Sequence, residues 1–199
     1  MGYSNFKNLR QALERLDIEE IDVNLFPVIE PVQASAWLFQ TLELADQMPL
    51  TNEKSKSERL ISPILLEVAL SFKQNITLYS GEDLYVDEKK DLSGACDFFL
   101  AKHPKKQVMQ APIITLAEAK DEVFDYGQGQ CAAQMYAAQL FNEQKGKPQP
   151  FIYGCAATGG DWKFMKLAGK QLFLDNKTYY ISELPNILGI FHHIIKLYL

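Results

Sequence analysis

Residues 94–120 read GACDFFLAKHPKKQVMQAPIITLAEAK, and this stretch decides the fold. Two apolar runs, 94–101 and 111–120, flank a turn-like segment, "KHPKKQVMQ". Each run has the length and the aromatic or β-branched content of a strand. Each also carries charge that a buried strand should lack: Asp97 in the first, Glu118 and Lys120 in the second. If the two strands are antiparallel and turn near Lys106–Val108, Asp97 falls opposite Glu118 or close to it. Directly opposed Cβ atoms stand ~5 Å apart. Alternate residues of a strand share a face, so Glu118 and Lys120 lie with Ile114 and Leu116, and Ala119 points the other way.

Two carboxylates this close in an apolar layer repel each other. Either one holds a proton or a cation sits between them. A divalent cation suits the donors. The Asp97 and Glu118 carboxylates and the Ala119 carbonyl are hard oxygen ligands for Mg2+ or Mn2+, with water completing the shell. Lys120 in its charged form cannot ligate, but it can hold a water or neutralise charge developing on a phosphate. The competing reading makes Asp97 a solvated edge acid and Glu118–Lys120 an exposed pair on a fraying strand end. An isolated Glu-x-Lys is common by chance. The second apolar strand with its own acid, and the helix that follows directly, favour the site.

Working outward, apolar residues at Phe6, Leu9, Leu13 and Leu16 predict a helix over 4–16, capped by Ser4 or Asn5. "IDVNLFPVIEPVQ" is broken by Pro27 and Pro31 and reads as extended. Residues 33–47 read as a second helix, and "PLTNEKSKSE" as a loop. "SERLISPILLEVALSFK" reads as a helix capped by Ser57, with Pro63 kinking it or marking its true start. "NITLYS" and "DLYVD" predict a hairpin about Gly81 and Glu82. "YGQGQCAAQMYAAQLFNEQ" is an alanine-rich helix. "PFIYGCAATGGDWKFMKLAG" is two strands about residues 158–161, and "QLFLD" and "TYYIS" a further pair turning at Asn176–Lys177. A last helix starts near Glu183. The order predicts a mixed α/β domain whose sheet is covered on at least one face.

The bulk numbers agree with one domain of 199 residues. With 47% of residues apolar and 23% charged, the chain is globular rather than disordered. The net charge of −5 argues against a broad, sequence-blind nucleic-acid surface, though not against a local basic groove. The most apolar stretch, "LPNILGIFHHIIKLYL", is too short and too interrupted to span a bilayer. The first twenty residues lack a signal-peptide core, so a cytoplasmic protein with no membrane partner is expected. Cys96, Cys131 and Cys155 are widely spaced in apolar settings and read as reduced core thiols.

Two glutamines stand out in the alanine-rich helix. Gln130 and Gln134 are one turn apart and share a face with Ala133 and Ala137, small enough to let the helix lie close to the sheet. Near the helix start, Gln130 is placed to reach a metal-bound water or a phosphate. Alternatively both glutamines are solvated. Tyr136 reads as packing. His103, His192 and His193 lack metal-ligand spacing. No Gly-x-Ser-x-Gly elbow is present. "ATGGDW" lacks the Lys-Ser/Thr of a phosphate loop and reads as a tight turn.

The strand with "GACD" at 94–97, the strand with "EAK" at 118–120 and the helix after it resemble the PD-(D/E)xK nuclease superfamily. "SERLISPIL" resembles the entry helix of its restriction-type members. "GQGQCAAQMYAAQ" looks like the helix that carries a family glutamine. "IYGCAATGGDWKFMKL" is similar to the hairpin of members resembling the N-terminal nuclease region of type I restriction subunits. The resemblance covers about Ser57 to Gly169. It departs from the family at Cys96, which stands where a proline gives the superfamily its name.

The resemblance implies a restriction endonuclease-like α/β fold: a mixed sheet flanked by helices, with extra N-terminal helices and a C-terminal hairpin plus helix. It divides a single domain of residues 1–199 into an N-terminal helical extension over 1–50, a nuclease core over 57–170 and the hairpin and helix over 171–199. It implies a Mg2+- or Mn2+-dependent endonuclease hydrolysing DNA, with Asp97 and Glu118 as metal ligands and Lys120 as the water-orienting or charge-stabilising group. It also implies an entry-helix glutamate: Glu58, with Glu67 as the alternative. Restriction-type members often dimerise to cut both strands, so the resemblance admits a homodimer. The rival expectation is a non-catalytic nucleic-acid-binding or assembly module on the same fold.

Overall fold

The computed structural model describes residues 2–120 and 124–199. Strands β1 (Glu19–Val23), β2 (Ile76–Asp83), β3 (Ala95–Lys102), β4 (Ile113–Ala119), β5 (Ile152–Ala157), β6 (Asp161–Ala168), β7 (Gln171–Asp175) and β8 (Tyr179–Tyr180) form one mixed sheet. Its order is β1-β7-β6-β5-β4-β3-β2, with β8 on the end of β6. The β1–β7 and β4–β5 pairs are parallel, and the remaining pairs are antiparallel. Helices α1 (Leu9–Leu16) and α5 (Phe124–Gln144) pack on one face. On the other lie α2 (Ala36–Asp46), α4 (Ser62–Ser71) and α6 (Leu184–Lys196). Both faces of the sheet are therefore covered, and two apolar layers are buried.

The central strands are apolar on both sides because both sides are core. Every residue of β4 and of β5 is buried. Helix α5 lies close to them for the reason its composition suggests: Ala132, Ala133, Ala137 and Ala138 are all fully buried. On β5, Gly154 completes the close approach. A Cβ there would stand 2.2 Å from the Met135 sulfur, so no larger residue fits.

The β3–β4 pairing turns where the sequence predicts. Phe98 faces Ala117, Phe99 faces Leu116 and Leu100 faces Thr115. A bulge then shifts the register, so that Ala101 faces Ile113 and Ile114 is the extra residue. The bulge reverses the alternation. Leu116 packs on the α5 side, but Ile114 packs on the opposite side with Leu100. Ile114 therefore does not share the face of Leu116 and Glu118, contrary to strict period-two counting.

Four other expectations change. The cap of α1 is Asn8, whose side chain accepts the Gln11 N–H, and Tyr3–Asn5 is a separate 3-10 turn. "NITLYS" and "DLYVD" are not a hairpin. Most of that span is the single strand β2, whose partner is β3, and the chain reverses at residues 87–92. β7 does not pair with β8; it lies between β6 and β1, while β8 pairs with β6. Residues 1–50 supply an edge strand of the sheet as well as helices, because β1 zips parallel to β7.

A further change bears on the site. "TNEKSKSE" is not a loop. Asn52 caps a short helix, α3 (Glu53–Lys56), in a reciprocal box with Ser55. The chain then continues without a break through a π-turn, Ser57–Ile61, into α4. The π-turn has a cause in Pro63. A proline has no N–H to give and crowds the carbonyl four residues back, so the preceding turn widens. Its bond runs from the Ser62 N–H to the Ser57 carbonyl, five residues apart.

Candidate functional site

The site forms where β3 and β4 diverge, at the start of α5. Asp97 and Glu118 each stand one residue beyond the Phe98–Ala117 pair. The Asp97 carboxylate accepts the Ala119 N–H at 2.8 Å, which pins the acid across the strand pair at the residue after Glu118. Glu118 projects into the buried layer under α5 and is 4% exposed. Its two oxygens are held separately. Oε1 lies 2.9 Å from the Lys120 ammonium, and Oε2 accepts the Gln134 amide N–H at 2.7 Å.

Lys120 is 8% exposed, so the reading of Glu118 and Lys120 as a solvated pair on a fraying end does not hold. Its N–H donates to the Ala157 carbonyl at 2.8 Å, extending the β4–β5 ladder by one residue and keeping the lysine in the sheet. Gly127 on α5 makes room for its stem. A Cβ at that position would come within 2.8 Å of the Lys120 Cγ. The ammonium also reaches the Glu53 carboxylate at 3.4 Å and lies 5.5 Å from the Tyr126 ring centre.

These placements set the electrostatics. Burial, and then the charge on Asp97, push the Glu118 carboxyl from the ordinary 4.5 up to about 7, against the opposing pull of Lys120 and Gln134. For Lys120, burial favours the neutral form. Glu118, Asp97 and Glu53 outweigh it and raise the ammonium pKa, so the lysine stays charged. Among the described residues, Glu118, Asp97 and Glu53 thus act on one ammonium. Beneath them the Cys96 and Cys131 thiols are pushed up by burial and by the Glu118 charge, and act as inert packing.

The two candidate helix glutamates lie elsewhere. The Glu58 side chain is 59% exposed and pairs with Lys54 at 3.2 Å. Glu67 holds Ser35, the N-cap of α2, by accepting its N–H and hydroxyl, each at 2.8 Å. The helix acid that reaches Lys120 is Glu53. It was missed because the helix was expected to begin at Ser57. The signal that locates it is the pair Asn52 and Ser55, a cap three residues ahead of its reciprocal partner.

The two glutamines have different partners. Gln134, not Gln130, holds Glu118. Gln130 donates to the Tyr126 hydroxyl at 3.4 Å. Neither is solvated: they are 5% and 1% exposed for Gln130 and Gln134. In both, the amide oxygen is buried with no partner among the described residues. Tyr136 packs in the core as expected, and Trp162 is fully buried. His192 and His193 lie against Phe72 and Phe26 on the far side of the sheet.

A divalent cation fits what is present. Among the described residues no three acidic, histidine or cysteine side chains converge as a ready-made metal cluster. The protein's share would be two carboxylates, Asp97 and Glu118, and the Ala119 carbonyl, with water supplying the rest. A Glu118 carboxyl pushed toward neutrality by burial, and then by the Asp97 charge, is one that an added positive charge would stabilise in its ionised form. The unpartnered oxygens of Gln130 and Gln134 are acceptors of the kind that a hydrated cation's waters satisfy.

No family model matches this chain, and no curated protein matches it. No helix among the described residues is long and apolar enough to cross a membrane.

Proposed function

We propose that the chain is a restriction endonuclease-like, Mg2+- or Mn2+-dependent nuclease that hydrolyses phosphodiester bonds of DNA. The observation that carries this reading is the convergence of Asp97, Glu118 and Lys120 at one end of the β3–β4 pair, with both Glu118 and Lys120 buried. Burying acids beside a lysine costs more stability than an apolar cluster would, so the arrangement is accounted for by chemistry rather than by folding.

Asp97, Glu118 and the Ala119 carbonyl would hold the cation. When bound, it would supply Lewis-acid polarisation of the scissile phosphate and lower the pKa of an attacking water. The protein's own groups do the rest. Lys120, kept charged by its three carboxylate neighbours, orients a water or offsets charge building on the phosphate oxygens. Gln134 fixes the Glu118 carboxylate from the helix side. Glu53 steadies the ammonium from the opposite layer. Asp97 ties itself to the Ala119 amide, which restrains the strand end that carries Glu118 and Lys120.

The direct Lys120–Glu118 ion pair supports a second reading, a non-catalytic nucleic-acid-binding or assembly module in which the pair is closed for good. One experiment separates the two. Purified protein is incubated with supercoiled DNA and Mg2+ or Mn2+, and metal binding is measured by calorimetry. Metal-dependent nicking that disappears in Asp97→Ala and in Lys120→Ala is the expected result. DNA binding without metal binding or nicking supports the module. Cleavage that survives in both variants overturns the assignment of the site.

A further inference from the structure

The sheet has two edges, and they are built differently. β1 carries Glu19, Glu20 and Asp22 within five residues, a charged edge of the kind that repels a second strand. β2 carries ITLYSG over residues 76–81, without a charge or a proline, and only then Glu82 and Asp83. As the terminal strand, it turns the N–H and C=O of every second residue away from β3.

Beside β2 runs an open groove of about 490 Å3, shared with α4. Leu66 and Leu70, one helical turn apart on α4, line it and are 39% and 52% exposed. Its charge is divided along its length. Lys73 precedes β2, and the β3–β4 turn with Lys105 and Lys106 lies against the first half of the strand, where the Tyr79 hydroxyl donates to the Lys106 carbonyl at 3.1 Å. Glu82 and Asp83 end the strand.

We propose that β2 is the seam of a homodimer: two copies join their β2 edges antiparallel about a two-fold axis, making one continuous sheet. An antiparallel join brings the start of one strand against the end of the other. In a register centred near Leu78, Ile76 faces residue 80 of the second copy and Lys73 faces the second copy's Asp83, beside Glu82. The same axis brings the two α4 helices side by side, so that Leu66 and Leu70 cover their counterparts. The occupant must offer a free strand edge, an apolar middle and charged ends in reversed order. β2 itself has all three, which is why a second copy fits this edge. The inference stands apart from the catalytic reading and uses none of its residues.

Sedimentation equilibrium of the full chain tests it. Wild type should dimerise. Lys73→Glu and Glu82→Lys should each weaken the dimer about tenfold or more, since each sets like charges against one another twice across the two-fold. Lys73→Glu combined with Glu82→Lys should restore it. Both positions changed are exposed, and circular dichroism checks that each variant is folded. Where a reversal variant fails to fold, Ser80→Lys places an exposed charge in the seam and should weaken the dimer likewise. A chain that stays monomeric, a dimer indifferent to the single reversals, or a double variant no tighter than the singles overturns the proposal.

Discussion

Two buried amides on α5 meet the same strand and end up in opposite states. Asn142, near the C-terminal end of the helix, is fully buried, and its side chain is complete. It donates to the Ile113 carbonyl at 2.7 Å and accepts the Ile113 N–H at 2.8 Å. Gln134, two turns earlier, donates to Glu118 at 2.7 Å; its own oxygen, like that of Gln130 a turn before it, is buried without a partner among the described residues. The Asn142 pair stands in for ladder bonds at the bulged end of β4, where strand pairing falters. A folded protein satisfies its buried polar groups, so the closed amide needs no further explanation. The open ones do, and they lie on the helix beside the strand end that buries Glu118 and Lys120 together. One end of the α5–β4 contact is built to hold the fold. The other is built around charge, at a cost to it.

That contrast can be broken in several ways. The largest effect should come from the charged end. Lys120→Ala and Asp97→Ala are expected to lower DNA cleavage by ~10^3-fold or more, about 4 kcal/mol of barrier, in a plasmid-nicking assay. The closed end should answer in stability instead. Asn142→Ala strands both backbone groups of Ile113 and is expected to cost about 3 kcal/mol in urea unfolding, with remaining activity following the folded fraction.

Of the two ends, the charged one should answer to pH. The folded-state pKa of Glu118 is raised, to about 7 from 4.5. The folded state therefore holds its proton more tightly than the unfolded chain does. This contribution to stability is complete below about pH 4.5, falls as pH rises toward 7 and is lost above it. Metal affinity should move the opposite way and strengthen through the same window, as the carboxylate loses its proton. Denaturation and calorimetry across that range check both signs. Glu118→Gln should flatten both curves.

Smaller effects sharpen the comparison. Gln134→Leu removes one hydrogen bond and one orphaned oxygen together. Stability should change by no more than about 1 kcal/mol, while metal affinity falls by about tenfold. Smallest of all, Glu53→Gln should reduce cleavage a few-fold by loosening the lysine. Glu58→Gln, five residues along the same helix and outside the site, should leave cleavage as it was.

Much of this was legible in the chain. The antiparallel strands with their turn near Lys106–Val108, the long alanine-rich helix, the strands around the Gly159–Gly160 turn and the last helix all follow from local pattern. So does the meeting of Asp97 with the Glu118 strand end, because antiparallel register is arithmetic once the turn is placed. What failed had a non-local cause. "DLYVD" resembles a strand, but Gly81 sits within β2 at a positive φ and the chain does not reverse there. "QLFLD" prefers β1, contributed by a segment 152 residues away in sequence, to its neighbour "TYYIS". Glu53 was hidden by a polar run that reads as loop until the Asn52–Ser55 box is recognised.

By itself, the sequence determined which residues could be buried together and where charge would interrupt them, because the periods of strand and helix and the chemistry of caps act over a few residues. The tertiary structure alone decided which helix acid turns toward Lys120 and which glutamine holds Glu118. A bulge at Leu100–Ala101 and a π-turn ahead of Pro63 each rotate everything beyond them. Such rotations are set by packing between distant segments, and no local pattern records their size.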